Sequence, residues 1–422
     1  MFSKSFIPQK PFKQFKWKWA SLQCTESLND PVILLGVLFR MRKLELLNQN
    51  LKYSSPEFAK EMLELSQDVS DSIKVNLGGR IGERNLIRNS GQYWRAVGLI
   101  PSDRGGLIQL TEFGQKVADR EISQTEFAAI TIQTFRLPNP QIQSADECKL
   151  WYDAGIMLHP LKLLLEIICE LTKLGESQGF ISPDELVRII IPLSGAKAEV
   201  QDYVNFINWY RNKEISLNDW PNCIEDANDF RIAREFLLFL SNYGYINIKF
   251  EARRRKKEQY YVNTNIFDEI EEIIHEQSKD KDESLLKTLD LIRSSDITSE
   301  VERKRIQSRT TRPNQATFRK EVLKACERCI ITNVTMPEIL EAAHIKPFKY
   351  NGEDTIANGF AMRVDIHTLF DSGHLRISPD GEINLSNRAR LDYGAMIPPR
   401  IVLPNFTNRE FLRWRWENYN GI

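Results

Sequence analysis

From Pro31 to Phe39 the chain is apolar at nearly every position, and from there to about residue 136 the pattern reads as mainly helical. One predicted helix starts after Ser54-Ser55, with Pro56 in its first turn, and runs to about Ile73. A second spans about Gly82 to Val97, with Leu86, Ile87, Tyr93, Trp94 and Val97 as its apolar side. Arg84, Arg88 and Arg95 form a stripe on that helix, with Asn85 and Gln92 beside it. The stretch GLIPSDRGGLIQLT predicts a β-hairpin with Asp103-Arg104-Gly105-Gly106 at its tip, and Thr111 caps a helix over Glu112 to Ala118.

A similar order returns between residues 158 and 275. Ser182, Pro183 and Glu185 stand at the N-cap, first and third positions of a helix, close to a capping box. A helix from about Ala196 to Asn212 and a further helix follow. Next come a strand (Tyr245 to Phe250), a tip and a return strand (Gln259 to Asn263). Helices followed by a hairpin are the order of a winged helix-turn-helix, whose last helix enters the major groove, where Arg, Asn and Gln read base edges. Arg84, Arg88, Gln92 and Arg95 are therefore candidate base readers; the same stripe also suits the solvated face of an amphipathic helix. The second tip carries Arg253, Arg254, Arg255, Lys256 and Lys257, a run suited to phosphates and to salt-sensitive, sequence-independent affinity.

The ends and the connector add less. From Phe15 to Trp19 aromatic residues alternate with Lys, which predicts a strand with one aromatic and one basic face. From Asp268 to Glu300 the chain is acidic, polar and helical in pattern, then turns basic from Arg303 to Lys320, as expected of a linker helix leading into a last domain. The expected divisions are 1–30, 31–150, 151–267, 268–315 and 316–422. The length, 422 residues, fits several domains. Net charge is zero, so any nucleic-acid contact relies on local patches. No apolar run approaches the ~20 residues that span a bilayer, and the start lacks the apolar core of a secretory signal. A cytosolic protein with free thiols is expected. Cys326 and Cys329 form a CxxC with no second pair following, so a structural zinc is not expected, since a closed site needs four ligands.

The chemistry sits in ILEAAHIKPF…IANGFAMRVDIHTLFDSGHLRIS, where His344, Asn358 and His367 follow one another at intervals of fourteen and nine residues. A strand ending at His344, a loop carrying Asn358 and a helix carrying His367 would bring the three together, the layout of a ββα-metal nuclease. Phosphodiester hydrolysis needs a base to deprotonate water and positive charge at the phosphate and the leaving oxygen. His344 suits the base, because a neutral imidazole titrates near working pH. His367 suits a metal ligand, and Asn358 suits either a ligand or a brace for the loop. Lys346 could touch a phosphate.

The segment from FRKEVLKACERC to SPDGEI, about residues 318–385, resembles HNH endonucleases of the restriction-enzyme type, the subgroup with the AAHI…NG…DIHxLFD signature. FLRWRWEN resembles that subgroup's closing helix, and the N-terminal half is weakly similar to DNA-binding arms of restriction endonucleases. The resemblance implies His344 as general base, His367 as metal ligand and Asn358 as loop anchor or ligand. Many such enzymes place a metal-binding His or Asp directly before the base, where this chain has Ala343. Glu341 and Asp371 are the candidates to complete the metal shell, with Asp365 weaker and His374 a surface or phosphate-contact residue.

The resulting expectation is an α+β multidomain chain, with mainly helical winged-helix-like modules followed by a C-terminal ββα-metal (HNH) domain. It would cut double-stranded DNA with Mg²⁺ or Mn²⁺, in a restriction or phage-defence setting. One site cuts one strand, so a double-strand break implies a homodimer or two successive nicks. The alternatives are a DNA-binding regulator with a silent HNH fold and a structured-RNA nuclease.

Overall fold

A computed structural model describes residues 1–13, 15, 19, 30–73, 90–102, 105–221, 227–249, 255–275, 315–347 and 350–419. The chain forms two compact units made of interleaved stretches: 1–23, 92–97 and 129–303 in one, and 24–91, 98–128 and 304–422 in the other. Their limits do not coincide with the divisions at 31–150 and 151–267. No helix among the described residues is long and apolar enough to cross a membrane.

The second of these units is organised around the helix Pro31–Leu47. Asp30 caps it, accepting from the Val32 amide at 2.9 Å, and Pro31 opens it. Val32, Ile33, Leu34, Leu35, Val37, Leu38 and Met41 are all buried, so the helix needs neighbours on several sides. Helix Pro56–Ile73 covers one side, and the Gly36 backbone comes so close to Leu65 that a Cβ there would lie 2.8 Å from a leucine methyl. Another side meets the C-terminal region, where Val32 and Leu35 cluster with Ile339 and Val364. The hairpin expected over residues 98–111 does not form a ladder among the described residues. Leu107 instead bridges Lys52, with the Ile108 amide donating to the Leu51 carbonyl at 2.8 Å. Leu107 and Ile108 thus find backbone partners in the segment after the first helix rather than in their own return strand. Thr111 does cap Glu112–Ala118, as expected, accepting from the Gly114 amide at 2.9 Å. Of the helix expected over 82–97, Gly91–Ala96 is helical, while Arg84 and Arg88 lie outside the described residues.

In the C-terminal part of this unit, strand Leu340–His344 pairs antiparallel with Gly359–Arg363, and the chain passes directly into helix Val364–Asp371. A second hairpin (Leu375–Ile377 with Ile383–Leu385) and helices Asn387–Tyr393 and Arg409–Asn418 complete it. Strand alternation sends Ala342 and His344 to one face and Glu341 and Ala343 to the other. Helix Gln315–Ala325 covers the first face through Phe318 and Val322, and helix Val364–Asp371 covers the second through Ile366 and Phe370. Gly359 allows the first contact: a Cβ there would meet Val322 at 2.3 Å and the Phe318 ring at 2.9 Å. Gly359→Ala should therefore destabilise the chain by about 1–3 kcal/mol through overpacking. The urea midpoint checks this, and an unchanged midpoint would contradict the close approach.

The other unit contains helix Pro160–Leu174, the short strand Phe180–Ile181 and the capping box at Ser182, where Ser182 and Glu185 exchange hydrogen bonds as expected. A helical segment with a π turn at Leu186–Ile190, then helices Val200–Arg211 and Ala227–Asn242, lead to strands Ile246–Lys249 and Gln259–Val262. Gln259–Val262 is the central strand, antiparallel to both others. Arg234 makes a two-nitrogen ion pair with Glu258 at 2.7 and 2.9 Å, and Tyr260 donates to the same carboxylate at 2.8 Å, next to the tip of this hairpin. Arg255–Lys257 form an exposed 3₁₀ turn at its tip, while Arg253 and Arg254 lie outside the described residues. Phe15 and Trp19 are buried in this unit, Trp19 donating to Ser194 Oγ at 3.2 Å. The lysines at 16 and 18 lie outside the described residues, as does 276–314 of the connector.

Candidate active site

His344 ends its strand with its side chain 18% exposed. Its ring stacks on Phe318, centroids 3.9 Å apart and planes 19° apart, and its Nε2 lies 2.9 Å from Asp354 Oδ1. The loop from 345 to 358 is tied shut by Asn358, which is fully buried. Asn358 Oδ1 accepts from the Lys346 amide at 2.8 Å, and its Nδ2 donates to the carbonyls of Lys346 and Glu353, each at 2.9 Å. That pattern makes Asn358 the brace of the loop, with its amide oxygen already engaged. Lys346 lies with its ammonium 5.2 Å from the Trp414 ring centroid.

On the other face, helical spacing of four aligns His367 with Asp371. Asp371 Oδ2 lies 3.0 Å from His367 Nε2, and Glu341 Oε2 lies 3.0 Å from His367 Nδ1. Glu341 is 2% exposed, and its second oxygen accepts from the Gln124 amide at 2.9 Å. Thr125 also donates to Asp371 Oδ2, at 3.4 Å. Burial opposes charge on His367, but Asp371 and then Glu341 outweigh it and hold its pKa well above the ordinary value. Burial likewise opposes charge on Asp371, whose carboxyl is nonetheless held down by His367 and Arg415.

Arg415 joins the two faces. It is 2% exposed and donates to the carbonyls of His344 and Ile345 at 3.2 and 3.0 Å, to that of Phe370, and to Asp371 Oδ1 at 3.2 Å. One guanidinium therefore spans from the end of the His344 strand to the end of the His367 helix. The two histidine rings themselves engage different carboxylates on different faces of the hairpin.

Asp365 is bound by Arg363 through both oxygens, at 2.6 and 2.7 Å, away from this cluster. His374 is buried against Ser386 at 2.9 Å, and burial followed by the nearby Arg388 lowers its pKa to about 4, so it is a packed neutral residue rather than a surface contact. Gln92 and Arg95 are half-buried on Gly91–Ala96. Cys326 is half-buried and Cys329 buried, both as free thiols. Sequence reasoning missed Asp354, Gln124, Thr125 and Arg415. Asp354 had a signal in being an acidic residue within the loop that carries Asn358, whereas the others reach the site only through tertiary packing.

Among the described residues, no group of three or more His, Cys, Asp or Glu side chains is arranged as a metal cage. The donor chemistry nevertheless fits an open site for a hard divalent cation. His367 Nε2 and the part-exposed Asp371 would be the two protein ligands of such a site, since Mg²⁺-type sites commonly take the remainder from water and substrate phosphate. Glu341, buried and doubly hydrogen-bonded, stands where a carboxylate orients a ligating imidazole through its other nitrogen.

No curated protein matches the chain. Residues 329–378, which include His344, Asn358 and His367, match the family model described as HNH endonuclease. The C-terminal region of this chain thus carries a domain of the HNH endonuclease family.

Proposed function

We propose that the chain is a metal-dependent DNA endonuclease of a restriction or phage-defence system. The observation that carries this reading is the coincidence, within the family match, of a braced His344 and the His367–Asp371 pair, joined by Arg415. His344 is the general base that takes a proton from the attacking water. His367 and Asp371 are the metal ligands, Glu341 orients His367, and Asn358 fixes the loop beside the base. A divalent cation held there supplies positive charge to the scissile phosphate and the leaving oxygen. Lys346 and Arg415 add positive charge beside that centre.

The three-stranded sheet, in the order Phe180–Ile181, Gln259–Val262, Ile246–Lys249, supports a winged-helix-like reading of that unit, with the exposed turn Arg255–Lys257 at the wing tip. Charge reversal at Arg255, Lys256 and Lys257 should weaken DNA binding. It should also lower the slope of log affinity against log salt by up to about 3, since each phosphate contact contributes about 0.9. Unchanged affinity would overturn the wing assignment.

The function is tested by supplying the purified chain with supercoiled plasmid or structured RNA, each with Mg²⁺ or Mn²⁺ and with EDTA. Metal-dependent nicking of plasmid is expected. Cleavage of RNA alone would favour a structured-RNA nuclease. DNA binding without cleavage would favour a regulator with a silent HNH fold, in keeping with Ala343.

A further inference from the structure

We infer that Asp354 is the positioning residue of His344, so that base and carboxylate work as a dyad; this rests on the reading of His344 as the base. Three independent features of the loop converge on that placement. The Asp354 side chain is 8% exposed, and its Oδ1 lies 2.9 Å from His344 Nε2. Phe318 holds the imidazole by its face, so the ring's plane is set by stacking and its rotation by the carboxylate. The loop that carries Asp354 is closed by the three Asn358 hydrogen bonds and tightened at Gly352, where a Cβ would fall 1.8 Å from the Lys346 carbonyl oxygen and 2.8 Å from that of Pro347. Asn351, just before it, adopts φ 63°, a left-handed turn that short polar side chains tolerate.

A carboxylate on one ring nitrogen acts on a base in three ways. It keeps the proton on Nε2, so that Nδ1 carries the lone pair that accepts the water's proton. It limits the ring's rotation toward solvent. It also stabilises the imidazolium formed on proton transfer, which raises the basicity of His344. Among the described residues, charged groups near His344 include Arg415, which donates to the His344 carbonyl and is itself paired with Asp371, and Lys346 over Trp414. Helix Gln315–Ala325 presents the apolar Phe318. Asp354 therefore supplies the negative charge at this imidazole.

The test uses the full chain with isotope-labelled histidine, comparing wild type with Asp354→Asn and Asp354→Glu by NMR titration of the rings. The His344 resonance is assigned by its loss in His344→Ala. Asp354→Asn should lower the pKa of His344 by about one unit or more, the scale of a lost adjacent opposite charge. Asp354→Glu should restore part of the shift. In cleavage assays at saturating metal, the acid limb of the Asp354→Asn rate profile should move to lower pH by the same amount, with the plateau at least about tenfold lower. Metal affinity and the urea midpoint should stay near wild type. An unmoved His344 titration, or a rate loss equal at every pH, would overturn the dyad. Failure of the wild type to cut DNA would refute the nuclease reading, while the ring titration would still decide the role of Asp354.

Discussion

Replacing His344 with alanine is expected to reduce DNA cleavage at least ~10²-fold, the scale of removing a general base, while DNA affinity stays within about twofold of wild type. The side chain is part-exposed at the end of a strand, stacked on the Phe318 ring and bonded to the Asp354 carboxylate, and it is not a member of the apolar cluster around Ala343, Ile345 and Phe360. Single-turnover cleavage and filter binding on one duplex separate the two effects. Loss of binding together with cleavage would make His344 a folding residue instead.

Replacing His367 with alanine should have a different signature, because His367 lies buried between the buried Glu341 and the part-exposed Asp371. Without it, buried Glu341 loses its cationic partner, and Asp371 is left with Arg415. Breaking such a buried pair costs about 3–5 kcal/mol. Mn²⁺ affinity should fall with it, by at least about tenfold. The pH dependence of the wild type adds a further check. The folded pKa of His367 is raised, so its stabilising contribution is complete below the unfolded value of about 6.5. It is lost as pH rises through the folded value of about 10. Metal binding must displace that proton, so Mn²⁺ affinity should rise with pH, by about tenfold per unit while His367 stays protonated in the metal-free protein. Equal metal affinity in His367→Ala and wild type, or affinity independent of pH, would remove His367 from the metal site.

The sequence shows the local parts of this arrangement and conceals the distant ones. The spacing of His344, Asn358 and His367 was legible because strand, loop and helix follow one another within a short stretch. The caps at Ser182 and Thr111 were legible because a cap is a contact between residues three apart. The turn signal at Gly105-Gly106 says nothing of the partner at 51–53 that residues 106–108 bond to. The all-round apolar character of Pro31–Leu47 announced burial but not its partners, among them Ile339 and Val364. Charge and a place on the Ala343 side of the strand make Glu341 a ligand candidate in the sequence. That its oxygens are engaged by His367 and by the amide of Gln124, more than two hundred residues away, depends on the tertiary fold. Arg415 likewise reaches His344 and Asp371 only through the tertiary fold.

The central claim is that a divalent cation sits at His367 and Asp371 on the helix adjoining the His344 strand. The most direct measurement is anomalous scattering from crystals of the full chain grown with Mn²⁺. The account requires one strong peak bonded to His367 Nε2 and Asp371, with Glu341 still hydrogen-bonded to Nδ1. A peak elsewhere, or none at this pair in protein that still cuts DNA, would contradict it.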